Sequence, residues 1–447
     1  MWKGINKFLA NCIIPIITLY QKTLSPDKGR FSSLFQGTVC RHIPHCSQYG
    51  KEVLEKYGFI PGIGYLLERI SQCTPGKTHV YDPSSYRIVL FSGAQLSLPF
   101  FEAIAQDPRF EIVGIVSQQP KPQGRGMITK DNPVASFGYT LAKKLGKDPE
   151  MFVQTPSSLR TDSPKYADQA KIFKEWYTAC NPDLALILAY GKILPQEILD
   201  IPYFGSMNVH GSLLPKYRGA SPFQSVLLEE QTETGITLMK MISELDAGPI
   251  IKTMSFPLST TMTVADIITT VTKYGPKFVT NTLREYGKGR ISPLPQDNDA
   301  VTFCKKIQKN DGLIYILDEP MHVIYAKRKA YLLWPKIFTY WHETQKRRIR
   351  ANEEIERSEG ETAGLPQGPR KRVIIDEILL HHDHEQKRPD YKNAHIIKNS
   401  GGKVEKTIGN SEGNTLYNPL IKTILVHKEG KKPCELSVYL STYATHG

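Results

Sequence analysis

The chain has 447 residues, 40% apolar and 23% charged, which is enough to bury sizeable cores and excludes a wholly disordered polymer. Several domains are expected at this length, and no run approaches the roughly 20 apolar residues needed to span a bilayer. A formal net charge of +13 favours a polyanionic partner, either nucleic acid or an anionic membrane surface.

The charge is uneven. Residues 1–82 carry 10 basic against 5 acidic side chains, residues 83–300 carry 22 against 21, and residues 301–447 carry 25 against 18. Seven cysteines scattered along the chain do not form the even, closely spaced set of a secreted disulfide scaffold, so a reducing cytoplasm is expected.

The first block reads as mostly helical. Trp2, Ile5, Leu9, Cys12, Ile13, Ile16, Ile17 and Tyr20 recur at three and four residues with polar side chains between them, the pattern of an amphipathic helix over residues 2–20. No small-residue cleavage site follows, so a signal peptide is not expected. The helix either packs on its own domain or lies in a membrane interface beside anionic lipid. Two further helices are expected from Ser47 to Tyr57 and from about Ile63 to Gln72, with a seam at Asp82-Pro83-Ser84-Ser85.

The second block opens with the strand Arg87 to Phe91 and continues as a helix to Ala105 and a strand from Ile112 to Val116. Apolar runs follow at Leu184 to Leu188 and Met207 to Val209, alternating with helical patterns. This alternation predicts a parallel sheet with crossover helices. Ser92-Gly93-Ala94 lacks the G-x-G-x-x-G that seats a pyrophosphate, which argues against dinucleotide binding. Gly287 to Asp299 reads as a second seam. Strands are expected at Leu313 to Ile316, Val373 to Ile375 and Ile421 to Val426, interrupted by a charged, mobile insertion at 343–372 and a polar stretch from Lys398 to Asn414.

Chemistry concentrates in residues 207–219, Met-Asn-Val-His-Gly-Ser-Leu-Leu-Pro-Lys-Tyr-Arg-Gly. Asn208 and His210 are two apart on a strand and so project from one face, just where the strand ends and open α/β sheets place ligands. Asp246 follows in a turn-forming Glu-Leu-Asp-Ala-Gly-Pro. An amide donor, an imidazole and a carboxylate are the parts needed to move an acyl group onto an amine: the first two meet an oxyanion, and the third supports the charged ring and proton transfer. Composition alone leaves open a capping Asn and a hydrogen-bonded core His.

This run, together with Ala189-Tyr190-Gly191-Lys192-Ile193-Leu194-Pro195 and Asp246-Ala247-Gly248, resembles the folate-dependent formyltransferases, and within them the methionyl-tRNA formyltransferase branch. The resemblance covers residues 86–300 and, in patches, 301–447. It implies a multidomain α/β fold: a Rossmann-like formyltransferase domain with a parallel sheet at 86–290 and an OB-like C-terminal β-barrel at 301–447 that holds tRNA. It implies Asn208, His210 and Asp246 as the catalytic trio, with 10-formyltetrahydrofolate as donor and no metal. Folate would be bound by Tyr190, Gly191, Ile193, Leu194, Pro195, Ser212, Leu213, Leu214 and Pro215. The acceptor would be the α-amino group of initiator methionyl-tRNA.

For tRNA, Gln119 to Gly126 resembles the loop that meets the acceptor-stem end, with Lys121 and Arg125 as its cations. Lys216 and Arg218 follow the catalytic strand, and Lys431 and Lys432 lie in the more basic C-terminal block. Ser92-Gly93-Ala94-Gln95 departs from the Gly-Thr-Pro usual after the first strand. A sugar amine or other small amine is the alternative acceptor, and a non-catalytic membrane-biogenesis or RNA-binding factor the alternative class.

Residues 19–82 resemble the small YidD-like membrane protein insertion efficiency factors. The resemblance rests on Leu19 to Pro26, Cys40 to Tyr49, Gly62, Leu67, Arg69, Ile70, Cys73 and Tyr81-Asp82-Pro83. It implies a basic, peripheral module over 1–83 that contacts an anionic membrane surface through residues 2–20. A monomer is expected, in the cytoplasm or peripheral on the cytoplasmic face of the cell membrane. Zinc is the rival use of Cys40, His42, His45, Cys46, Cys73 and His79, although C-x5-C is not the usual knuckle spacing.

Overall fold

The computed structural model describes residues 2–25, 29–30, 42–72, 80–123, 128–162, 165–315, 319–340, 372–380, 421–428 and 434–435. The chain forms two compact units. One comprises Met1–Arg218, Gly235–Ser255 and Thr270–Val301, and the other Gly219–Thr234, Phe256–Thr269 and Thr302–Gly447.

The first unit begins with three helices, α1 (Trp2–Lys22), α2 (Cys46–Tyr57) and α3 (Phe59–Ser71). Asn6 of α1 ties them at the α2–α3 corner, where its Oδ1 accepts from Ile60 N at 2.8 Å and its Nδ2 donates to Tyr57 O at 3.4 Å. The two short strands β1 (His42–Ile43) and β2 (Val80–Tyr81) pair in parallel beside the helices.

A seven-stranded sheet follows, built from β3 (Tyr86–Phe91), β4 (Phe110–Val116), β5 (Val153–Gln154), β6 (Leu184–Ile187), β7 (Ser206–His210), β8 (Glu233–Lys240) and β9 (Ile250–Pro257) in the order β9-β8-β7-β6-β3-β4-β5. The pairs β4/β5, β3/β4, β3/β6 and β6/β7 are parallel, whereas β7/β8 is antiparallel. Ile88 to Phe91 and Leu184 to Ile187 are buried along their whole length, as a strand covered on both faces requires. Crossover helices have sequence-encoded starts: α4 (Leu98–Gln106) has Pro99 in its first turn, and α5 (Pro133–Lys144) is capped by Asn132 Oδ1, which accepts from Val134 N and Ala135 N at 3.0 and 3.1 Å.

Both expected seams are packed. Asp82 is 6% exposed and anchors a buried cluster. Its carboxylate accepts from Arg109 Nη2 at 2.9 Å and from Tyr86 Oη at 2.9 Å, and lies 3.5 Å from Arg69 Nη1. Arg109 Nη1 donates to Tyr49 Oη at 2.7 Å, and the Arg69 guanidinium stacks 4.1 Å from the Tyr49 ring centroid. Two arginines buried to about the same degree are tolerable only because they share one carboxylate and each has a further acceptor: the Tyr49 hydroxyl for Arg109, and the carbonyls of Asp82 and Pro44 for Arg69. At the rim, Glu68 bonds Lys288 and Arg290 at 2.7 and 2.8 Å. The sequence change at Asp82 to Ser85 is therefore not a break in packing. The Gly287 to Asp299 stretch is pinned by reciprocal backbone bonds between Ile250 and Leu294 at 2.7 and 2.8 Å, which hold it against the first residue of β9.

In the second unit, β10 (Phe338–Tyr340), β11 (Arg372–Leu380), β12 (Ile421–Lys428) and β13 (Cys434–Glu435) form an antiparallel sheet in chain order. Of the strand expected at Leu313 to Ile316, the described residues 313–315 show one bridge, Leu313 with Phe338, and Ile316 lies outside the described residues. Just before it, Asp311 Oδ2 accepts from Gln308 N at 2.6 Å and closes a 3-10 turn over Lys309–Gly312. The insertion 343–372 falls almost wholly, and the stretch Lys398 to Asn414 wholly, outside the described residues.

Arg109→Ala is expected to cost about 3–5 kcal/mol, the scale of stripping a buried carboxylate of a partner. Amide protection in α2 and β3 should fall together in hydrogen exchange. Loss confined to α2 would contradict a shared cluster.

Candidate active site

Strand β7 lies where the sheet changes from parallel to antiparallel. Its Asn208 pairs with Ile187 of β6 and Met239 of β8, and its His210 pairs with Thr237. The two side chains share a face, as expected. His210 is 5% exposed. Asn208 is half-buried, and its amide has no hydrogen-bond partner among the described residues.

The loop after His210 is folded tightly back. Thr237 Oγ1 donates to Ser212 O at 2.7 Å and accepts from Leu214 N at 3.2 Å, and Ser212 Oγ donates to Lys216 O at 2.6 Å. Leu214-Pro215 is cis, and Tyr217 has a φ of +60°, a left-handed conformation uncommon outside glycine. This fold brings the Tyr217 carbonyl to 2.8 Å from His210 Nε2.

On the other side of the ring, Asp246 Oδ2 lies 3.5 Å from His210 Nδ1. Both side chains are under 10% exposed, while Glu244 and Leu245 just before Asp246 are open to solvent. Asp246 has a φ of +51°, and Gly248 sits so close to β8 that a Cβ there would overlap the Lys240 carbonyl. The imidazole is thus held between a carboxylate and a carbonyl, with an unengaged amide beside it. Such a constellation at the C-terminal end of a strand suits acyl transfer through a tetrahedral intermediate.

The Ala189 to Pro195 loop leaves the C-terminal end of β6 with Ala189 at φ +45° and Gly191 at φ +73°. Tyr190 and Leu194 are 2% and 4% exposed and pack in the core beside Phe91, so their side chains support this loop from below; Ile193, 76% exposed, and Gly191 are what it presents outward. Pro195 and Leu213 are half-buried, Ser212 and Leu214 are buried, and Pro215 is half-buried.

Of the cations expected to meet tRNA, Lys121 and Lys216 are exposed. Arg218 is not: it is 3% exposed, and its guanidinium is committed to Gln296 Oε1 at 3.0 and 2.9 Å and to Glu244 at 3.4 Å. Its expected surface role is replaced by an internal one. Arg125, Lys431 and Lys432 lie outside the described residues, as do Cys40, Cys73 and His79 of the zinc reading.

Gln118 and Gln296, like Thr237, escape sequence reasoning. Gln118, two residues beyond β4, donates to Tyr190 O at 2.6 Å and accepts from Lys121 Nζ at 3.1 Å. Gln296 donates to Asp246 O at 2.7 Å and Gly248 O at 2.8 Å while accepting from Arg218. Neither sits in a periodic segment, and Gln296 lies in a stretch whose composition reads as linker, so only the adjoining Pro295 marked it as a turn.

The α/β domain around the parallel sheet is that of a Rossmann-like formyltransferase. A Formyl transferase family model matches residues 86–283, and the model of YidD, a membrane protein insertion efficiency factor, matches residues 9–85. The methionyl-tRNA formyltransferase of Roseiflexus castenholzii is 35% identical over 257 residues, which are 58% of this chain and 76% of that protein. That of Sorangium cellulosum is 32% identical, over 63% of this chain and 83% of its own length. The chain belongs to the methionyl-tRNA formyltransferase family, which are one-carbon transferases, and carries a YidD-like domain at its N-terminus. A solved structure, HypX from Aquifex aeolicus in complex with tetrahydrofolic acid, aligns with a TM-score of 0.45 at 12% identity, covering 81% of this chain and 48% of that one.

Thr237→Val keeps the side-chain shape but leaves Leu214 N without its acceptor. Chemical denaturation should show a loss of about 1–3 kcal/mol, the cost of an unpaired buried donor. An unchanged midpoint would mean that the loop is not held from β8.

Proposed function

We propose that the chain transfers the formyl group of 10-formyltetrahydrofolate to the α-amino group of initiator methionyl-tRNA. The observation that carries this reading is the unengaged Asn208 amide next to an imidazole held by Asp246. The acceptor is supported by the names of the relatives.

In the proposed reaction the neutral amine attacks the formyl carbon, a C–N bond forms, and the carbonyl π electrons move onto oxygen. Asn208 donates to that oxyanion, and the positively charged imidazole of His210 lies on the same strand face to stabilise it. Collapse breaks the bond from the formyl carbon to N10 of the folate. The amine gives up one proton and N10 gains one, with Asp246 and His210 moving the proton between them. The outward parts of the Ala189 to Pro195 and Ser212 to Pro215 loops form the folate seat, and the exposed Lys121 and Lys216, with Arg125, Lys431 and Lys432, meet the tRNA backbone. The C-terminal strands are proposed to close as a barrel that serves tRNA, with domains at 1–83, 86–290 and 301–447.

For the first domain we propose peripheral contact with an anionic membrane, coupled to insertion of membrane proteins. Trp2, Phe8, Ile16 and Leu19 are each more than 60% exposed on α1, and no helix among the described residues is long and apolar enough to cross a membrane. Such a helix suits the interface plane.

Asp246→Asn and His210→Ala should each lower turnover by at least about 100-fold in formyl transfer to methionyl-tRNA. Near-normal activity in both would refute the trio. Lys216→Ala should weaken tRNA binding and flatten its dependence on salt, by about one counterion's worth of slope. Transfer to amino sugars alone would move the acceptor and keep the chemistry.

A further inference from the structure

The Gln296 side chain uses all of its hydrogen-bonding capacity at one place. Its Oε1 accepts from Arg218 Nε and Nη2 at 3.0 and 2.9 Å, and its Nε2 donates to Asp246 O and Gly248 O at 2.7 and 2.8 Å. Two acceptor sites face N–H groups and two donors face carbonyls, so only this orientation of the amide satisfies all four contacts.

Those contacts join the two chain segments that flank the imidazole. On one side, Gln296 fixes the backbone of Asp246, a non-glycine residue held at φ +51° with its carboxylate 3.5 Å from His210 Nδ1. On the other, it holds Arg218, which directly follows Tyr217, the residue at φ +60° whose carbonyl faces His210 Nε2 at 2.8 Å. Left-handed backbone at a non-glycine residue costs on the order of 1 kcal/mol or more and persists only where surrounding bonds over-determine it. Gln296 supplies such bonds to the Asp246 turn directly and to the Tyr217 turn through Arg218. The closed circuit runs from His210 to Tyr217, Arg218, Gln296, Asp246 and back to His210. Leu294, two residues earlier, is fixed to Ile250 by the paired backbone bonds, so the amide is delivered from an anchored strand-like segment.

We propose that Gln296 is a positioning residue for the reaction, which sets the separation of the Asp246 carboxylate from the imidazole without touching substrate. This rests on the reading of Asp246 and His210 as the chemical pair. A carboxylate misplaced by about 1 Å is enough to cost on the order of 100-fold in rate.

Gln296→Glu separates the two sides of the clamp. It keeps acceptors for Arg218 and sets a carboxylate oxygen against the carbonyls of Asp246 and Gly248. Steady-state formyl transfer should show kcat lower by about 10- to 100-fold, with KM for donor and tRNA within about 2-fold. In an Asp246→Asn background the same change should cost under about 3-fold more, because residues that act through one another are not additive. Gln296→Met removes all four bonds at similar volume and should repeat the pattern if Gln296→Glu does not fold. Wild-type kcat in Q296E, a loss confined to KM, or the full loss repeated on top of Asp246→Asn would overturn the positioning role. Full activity of Asp246→Asn by itself would instead overturn the catalytic reading, so the two failures are distinguishable.

Discussion

His210 is held at both ring nitrogens, by the Asp246 carboxylate at 3.5 Å and by the Tyr217 carbonyl at 2.8 Å, and that double restraint depends on where the sheet changes direction. A parallel neighbour, β6, fixes the height at which β7 ends, and the antiparallel neighbour, β8, supplies Thr237 to fold the next loop back and leads into the turn that carries Asp246. The chain enters β8 opposite His210, where Thr237 pairs with it, and leaves opposite Met207, and the loop between β8 and β9 then carries Asp246 back to the imidazole.

Much of this was legible in the residues. Alternation of apolar runs with helical patterns gave the parallel sheet, and a two-residue spacing on a strand predicted that Asn208 and His210 share a face. The short distance from Asp246 to the imidazole follows the expectation from its turn-forming neighbours. What could not be read was the work done by uncharged or buried polar groups: Gln118, Gln296 and Thr237 act through bonds between segments far apart in sequence, and no local pattern records such partners. Arg218 misled for the same reason. A basic residue after a catalytic strand reads as a phosphate contact, yet its neighbours supply acceptors that make burial tolerable.

Composition also left the packing at the joints unread. Pro, Gly and Ser mark turns, and at Asp82 to Ser85 they mark a turn whose aspartate is the shared counter-charge of two buried arginines, one from the helical part and one following α4. Charge burial of this kind is costly to break and specific in geometry. It makes the YidD-like helices and the parallel sheet parts of one compact unit, which carries together the exposed apolar side chains of α1 and the His210 site at the end of β7.

The most direct measurement is a crystal structure of the chain with a non-transferable 10-formyl folate analogue. The formyl oxygen is expected within about 3 Å of Asn208 Nδ2, on the face of β7 that carries His210, with the pterin against the Ala189 to Pro195 loop. An analogue bound with its formyl group away from Asn208 and His210 would contradict the assignment of this site.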